Sequence, residues 1–146
     1  MDSPVSPRPR VVEVAFWLLV AGCVLLVAGG SLAATVSFED VRGAAAASFS
    51  DDQVRRYVSV QRASGAFCIL AGVGLGFLAG RMRSGDPRYR RAVIGLALAT
   101  VVLVSLVAVF VGIHIVALVG LLPVIGGAAA LTRPAAAAWF TGARSD

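Results

Sequence analysis

Cys23 is the residue whose setting most directly predicts covalent chemistry. The stretch "VAGC", residues 20–23, fits a lipoprotein cleavage site, and Arg8 and Arg10 resemble the basic segment that opens a signal peptide. The apolar run nevertheless continues through residues 24–36, so cleavage would leave an apolar stump, and Glu13 is unfavourable in a signal's basic segment. We therefore predict that Cys23 is a small apolar residue inside a transmembrane helix, with lipidation as the alternative.

The other residues that could do chemistry do not form a set. His114 is the only imidazole, and one histidine does not supply the ligands of a metal site. Cys23 and Cys68 lack a CxxC spacing, so neither a redox pair nor a metal pair is indicated. One His and 8 scattered acids do not assemble a Ser-His-Asp arrangement, an HExxH motif or a Walker loop. We predict that the chain is not an enzyme and binds no cofactor or metal.

Composition places the chain in a membrane. Its 146 residues are 58% hydrophobic and 14% charged, with a mean hydropathy of +0.87. This leaves too little polar surface to coat a soluble globule. The net charge of +5 comes from arginines that lie outside the apolar runs, so we attribute it to membrane topology and predict no nucleic-acid partner.

Long apolar stretches define the expected fold. Residues 14–36, 63–80 and 92–132 contain no Asp, Glu or Arg. The first two match one helix each, and the third, about 40 residues long, fits two helices, with Gly112 permitting the reversal within residues 110–114. We predict an all-α integral membrane protein, one domain over residues 1–146, with four transmembrane helices at about 14–36, 59–80, 92–111 and 114–132.

Arginine placement predicts the topology. Nine of the 13 arginines precede span 1, link spans 2 and 3, or follow span 4, whereas residues 37–62 carry four arginines and four acids. The positive-inside rule then puts both termini in the cytoplasm and residues 37–58 outside the cell membrane. Ser37 and the capping-box sequence Ser50-Asp51-Asp52-Gln53 mark two helix starts, so we expect an extracytoplasmic helical hairpin between spans 1 and 2.

Span 2 carries a ladder of small residues at intervals of four. Such a ladder lets two helix backbones approach closely. Span 1 offers Gly22, Gly30 and Ala34 as a complementary surface, so we predict packing within the chain. Docking onto another protein or a second copy is the alternative. The members of the ladder are Ser64, Cys68, Gly72, Gly76 and Gly80.

The link between spans 2 and 3 is strongly basic. Beside an anionic leaflet, each arginine attracts acidic lipid head groups by about 1 kcal/mol, so we predict weak binding of anionic lipids. The alternative is that these charges only set topology. The arginines are Arg81, Arg83, Arg88, Arg90 and Arg91.

Three short segments carry a family resemblance. The sequences "AFWLLVAG" at the start of span 1, "RMRSG" after span 2 and "RPAAAAWF" after span 4 resemble small four-span membrane proteins of actinobacteria. The resemblance implies the four-span fold and a membrane location, and no activity. In the last segment, Trp139 and Phe140 are expected to anchor the tail at the membrane interface.

These features predict a non-catalytic membrane protein. It would act as an accessory or structural subunit that packs in the bilayer against a larger envelope membrane complex or against its own copies. The alternative is a small four-helix transporter or channel. Glu13 resembles the acid in the first span of small multidrug resistance transporters, although their acid lies deeper in the helix.

Overall fold

The described chain is built from helices. The computed structural model describes residues 9–111 and 115–142, and within these ranges it has six α-helices, which confirms the all-α prediction there. In chain order they are α1 (Arg10–Ala34), α2 (Phe38–Ala44), α3 (Asp51–Met82), α4 (Pro87–Val111), α5 (Ile115–Thr132) and α6 (Pro134–Gly142).

Four of these helices are long and apolar enough to cross a bilayer, namely α1, α3, α4 and α5. At 1.5 Å per residue, the 32 residues of α3 extend roughly 48 Å, which exceeds a hydrocarbon thickness of about 30 Å. Its excess length lies at the N-terminal end, where residues 51–62 include several charged side chains.

The four long helices form a closed bundle. α1 packs against α3 and α5, and α4 completes the bundle by contacting the same two helices. α1 buries two faces, with Gly30 against α3 and the adjacent Gly29 against α5. We call the end that carries α2 the hairpin end, and the opposite end, with the α3–α4 turn and α6, the α6 end.

Side-chain caps define the helix starts at the hairpin end. The Ser37 hydroxyl accepts a hydrogen bond from the Asp40 amide at 3.1 Å and so caps α2. At the start of α3, Ser50 Oγ accepts from the Gln53 amide at 3.3 Å, and Gln53 Oε1 accepts from the Ser50 amide at 2.9 Å. The predicted capping box is therefore present, and α2 with the first turns of α3 forms a helical hairpin.

The α3–α4 turn uses residues suited to a tight reversal. Gly85 has a φ of 82°, a left-handed conformation that side chains with a Cβ rarely adopt. The carboxylate of Asp86 then accepts a hydrogen bond from the Arg88 amide at 2.8 Å, and Pro87 begins α4, where its missing N–H costs nothing.

The short helix α6 folds back onto the end of the bundle. Phe140 is 0% exposed and lies in a buried cluster with Met82, Val93 and Leu131. Trp139 is half-buried and meets the Phe140 ring edge-to-face at 4.8 Å. Both rings were expected at the membrane interface, but the helical turn of α6 points Phe140 into the core.

Candidate functional site

The helices α1 and α3 approach each other closely at a contact between two glycines. A Cβ on Gly30 would lie 2.7 Å from the Gly65 carbonyl oxygen, and a Cβ on Gly65 would lie 2.5 Å from the Gly30 carbonyl oxygen. Either separation is shorter than real Cβ contacts, so the two backbones meet here because both residues lack a side chain.

Three members of the small-residue ladder line the same interface. The Cβ of Cys68 is 3.0 Å from the position that a Cβ on Gly30 would take. A Cβ on Gly72 would lie 3.1 Å from the Cys23 carbonyl oxygen, and one on Gly76 would lie 3.9 Å from the Cys23 sulfur. These three residues therefore face α1 within the same chain.

The two ends of the ladder have different surroundings. Ser64 is half-buried, and its hydroxyl donates a hydrogen bond to the Gln61 carbonyl of its own helix at 2.8 Å. Gly80 is exposed, and a Cβ added there would meet nothing within 4 Å among the described residues. At the hairpin end, the tight contact shifts to Gly65, which sequence reasoning missed because it breaks the spacing of four.

A second glycine interface joins α1 to α5. A Cβ on Gly29 would lie 2.7 Å from the Ala117 nitrogen, and one on Gly127 would lie 3.1 Å from the Ala15 carbonyl oxygen. Gly120 has the same role, because its Cβ would lie 2.9 Å from Leu25 Cβ. The helices α1 and α5 therefore pack backbone against backbone over most of their length.

The glycines of this second interface were not predicted. Gly22 was expected to face span 2, but a Cβ there would meet Val124 and the Gly120 carbonyl oxygen of α5. A usable signal is present in the sequence, because Gly22 and Gly29 are seven residues apart, and so are Gly120 and Gly127. A spacing of seven returns to the same helix face after two turns.

An open groove lies at the hairpin end, between α2 and the first two turns of α3. Its volume is about 560 Å³. The walls are mainly apolar, and Phe49 and Tyr57 keep 52% and 40% of their surfaces exposed. In the described part of the chain, Asp40 is the one charged residue that lines the groove. The groove is lined by Asp40, Val41, Ala44, Ala45, Phe49, Gln53, Val54 and Tyr57.

Arg42 links α2 to the loop that follows it and to the start of α3. Its Nη1 donates a hydrogen bond to the Phe49 carbonyl at 2.8 Å, and its Nε lies 3.2 Å from the Asp51 carboxylate. One guanidinium thus joins α2, the connecting loop and the start of α3. Because both contacts are partly exposed, their contribution to stability is small, and their main effect is to fix the loop.

Two further arginines fasten the hairpin to the bundle. Arg62 Nε donates a hydrogen bond to the Val36 carbonyl at 3.0 Å, and the Arg55 guanidinium lies 5.5 Å from the centre of the Phe38 ring. These side chains come from α3 and contact the segment that leads into α2. The segment leading into α2 is therefore attached to α3 by two arginine side chains.

Three of the five arginines in or beside the α3–α4 turn stack on aromatic rings. In each pair the guanidinium lies within about 6 Å of the centre of an aromatic ring at the α6 end, the range of a cation–π contact. The pairs are Arg81 with Phe77 at 5.4 Å, Arg83 with Phe16 at 4.7 Å, and Arg90 with Phe140 at 5.9 Å.

Arg90 also has a specific polar contact. Its Nε donates a hydrogen bond to the Leu131 carbonyl at 2.9 Å, near the C-terminus of α5, where the last carbonyls lack helical partners. Arg90 therefore joins α4 to α5 and α6. In contrast, Arg88 and Arg91 are exposed in the first turns of α4.

Cys23 lies in the middle of α1, and both cysteine thiols are free and buried. It belongs to a buried cluster with Leu26, Cys68 and Leu75. Cleavage before Cys23 would remove Val12, Ala15 and Leu19, which form part of the core at the α6 end.

We expect the purified protein to keep residues 1–22 and to carry no acyl group on Cys23. The physical reason is that the first half of α1 supplies core contacts to α3 and α5. Intact-mass spectrometry of the membrane-extracted chain measures this directly. A mass lacking the first 22 residues and increased by acyl chains would contradict the prediction.

The proposed reversal at residues 110–114 and the environment of His114 concern positions 112–114, which lie outside the described residues. Within the ranges 9–111 and 115–142, no group of three or more His, Cys, Asp or Glu side chains is positioned to hold a metal ion.

The four apolar helices and their close packing define a multi-pass α-helical membrane protein. No family model, curated protein or solved structure matches the chain. The resemblance to four-span actinobacterial proteins therefore stays a prediction.

Proposed function

We propose that the protein is a non-catalytic subunit of the cell membrane that binds a larger membrane protein through the hairpin-end groove. The observation that carries this proposal is the groove itself, which is open, has mainly apolar walls and a volume of about 560 Å³. It lies at the N-terminal end of α3, outside the apolar part of that helix. An apolar surface of this kind is the usual signature of a binding site.

The fixed shape of the groove supports recognition. Arg42 bridges Phe49 and Asp51, the capping box fixes the start of α3, and Arg62 attaches the entry segment. A surface that is already ordered loses less conformational entropy when a partner binds.

The lining of the groove defines the chemistry of its partner. Phe49, Val54 and Tyr57 provide apolar walls, while Asp40 adds a carboxylate at the edge. The neighbouring acid Glu39 is exposed, and it has no ion-pair partner in the part of the chain that the structure describes. We propose that the occupant is a partner segment with an apolar side chain beside a Lys or Arg.

The charge distribution supports the proposed orientation. Arg10, Arg133 and the arginines at the α3–α4 turn lie at the α6 end, whereas acids and arginines balance in residues 37–62. Under the positive-inside rule, the α6 end and both termini lie in the cytoplasm. The groove then faces the outside of the cell.

Replacement of Ala44 by Trp tests this function. Ala44 lines the groove, so the indole of Ala44→Trp fills the space that the partner would occupy. We expect native mass spectrometry of the tagged protein, gently extracted from its own membranes, to show a hetero-complex for the wild type and at least about a tenfold lower yield of it for this variant.

Ala47→Trp is the matched control. Ala47 is also exposed on the hairpin but does not line the groove, so this variant should keep the complex. A photoreactive amino acid at position 44 should crosslink the partner more strongly than one at position 47. Equal complex yields for both tryptophan variants would contradict the groove as the binding site, and a homo-oligomer alone would favour the transporter or channel alternative.

A further inference from the structure

A second groove lies at the opposite end of the bundle, between α1 and α5. Its volume is about 440 Å³, and its walls come from both helices. Since these helices have apolar sequences that cross the membrane, the groove opens towards lipid near the membrane interface. It is lined by Arg10, Val11, Val14, Leu18, Gly126, Ala129, Ala130 and Arg133.

Among the described residues, two charged side chains line this groove, and both are arginines. Arg10 is the first residue of α1, and Arg133 directly follows the last residue of α5, so both belong to the polar end of the groove. Both are exposed, and neither has an acidic ion-pair partner among residues 9–111 and 115–142. Two guanidiniums from separate helices therefore border one apolar surface.

The nearest acid on α1 lies outside this groove. Glu13 lines an adjoining depression that shares Arg10, Val14 and Leu18 with this groove. Glu13 is not itself a lining residue of the α1–α5 groove, whose described charged lining residues are Arg10 and Arg133. The charged part of the groove is complementary to an anion.

From the arginines towards the membrane interior, the groove is lined by apolar residues, which on α5 are all Gly or Ala. Between Arg133 and Gly126, the helix α5 rises roughly 10 Å, and Ala129 and Ala130 lie along this distance. At the far end, a Cβ on Gly126 would lie 3.6 Å from Leu18 Cδ1, so Gly126 keeps the floor open without a tight helix contact. Such a strip fits one hydrocarbon chain.

We propose that this groove binds an anionic phospholipid. The phosphate lies between the guanidiniums of Arg10 and Arg133, which donate charge-assisted hydrogen bonds, and one acyl chain lies along the α1–α5 groove towards Gly126. The proposed site has a charged part for the phosphate and an apolar part for the acyl chain. The exposed Arg88 and Arg91 of the α3–α4 turn line neither this groove nor the hairpin-end groove.

The charged part is tested with Arg10→Gln/Arg133→Gln. The delipidated protein is titrated with phosphatidylglycerol, and bound lipid is counted by native mass spectrometry. At roughly fivefold per arginine, the double variant should bind about 25-fold more weakly. The matched control, Arg88→Gln/Arg91→Gln, removes the same charge and should change the affinity less than about threefold.

The identity of the ligand is tested with two further probes. Phosphatidylcholine with the same chains should bind the wild type at least about tenfold more weakly than phosphatidylglycerol, because its head group has no net charge. Glycerol phosphate, which has the phosphate without acyl chains, should show no binding at the same concentrations. Equal binding of either probe and phosphatidylglycerol would overturn the proposal.

The apolar part is tested with Gly126→Leu, whose side chain fills the floor of the groove. The control is Gly95→Leu on α4, where an added Cβ meets nothing within 4 Å among the described residues. Only the first variant should lose phosphatidylglycerol binding. Should Arg10→Gln/Arg133→Gln have a lower melting temperature than the wild type, the single variants Arg10→Gln and Arg133→Gln replace it, each with an expected loss of roughly fivefold. Equal losses for the groove and control variants would also overturn the proposal.

Discussion

Replacing Phe140 by Ala is expected to lower the free energy of unfolding by about 3–5 kcal/mol, the typical cost of removing a buried Phe side chain. The ring is 0% exposed and packs in one cluster with residues of α1, α3, α4 and α5. Its removal leaves a cavity that four helices share, so the loss affects the whole bundle. Reversible denaturation of the purified protein in mixed micelles measures it.

Phe110→Ala is the matched control for this prediction. Phe110 is 78% exposed on α4, so its replacement by Ala removes the same side chain from a surface position. We expect a change within about 0.5 kcal/mol, as for other surface substitutions. Equal destabilisation by the two variants would contradict the assignment of Phe140 to the core.

Gly65→Ala is expected to lower the free energy of unfolding by about 2–3 kcal/mol, within the range for overpacked cores. The new Cβ would lie 2.5 Å from the Gly30 carbonyl oxygen and 2.6 Å from the Ala34 nitrogen. Both neighbours are backbone atoms, so no side-chain rotation relieves the overlap and α1 must move away from α3. The same denaturation experiment measures the effect.

Gly80→Ala provides the comparison within the same helix. Nothing described lies within 4 Å of the added Cβ, and Ala is a better helix former than Gly, so stability should rise by up to about 1 kcal/mol. The opposite signs of the two changes distinguish close helix packing from a general effect of glycine. A gain of stability for Gly65→Ala would show that the two backbones are not in contact.

The elements of the fold were predictable because their signals are local. Apolar runs of sufficient length indicate membrane spans, and the side chains of Ser50 and Gln53 cap the start of α3, which directly follows Ser50. The groove at the hairpin end was not predicted, because its walls come from two helices whose relative position depends on Arg42 and Arg62.

The packing faces were harder to predict. A ladder at intervals of four shows that a helix has a small-residue face, but the neighbouring helix decides which part of that face is covered. Gly65 is one residue from Ser64, or about 100° around the helix, and it has the tight contact. Likewise, the sequence Trp139-Phe140 fits both an interfacial anchor and a core contact, and only the fold of α6 distinguishes them.

The position of α1 between α3 and α5 has a consequence for biosynthesis. The helix α1 leaves the ribosome before α5, and one of its two glycine faces packs against α5, with Gly29 against Ala117. These residues are separated by about 90 positions, which corresponds to roughly 5–20 s of translation. During that interval the α5-facing side of α1 lacks its native partner α5, so lipid or the membrane insertion machinery must cover it until α5 has been synthesised.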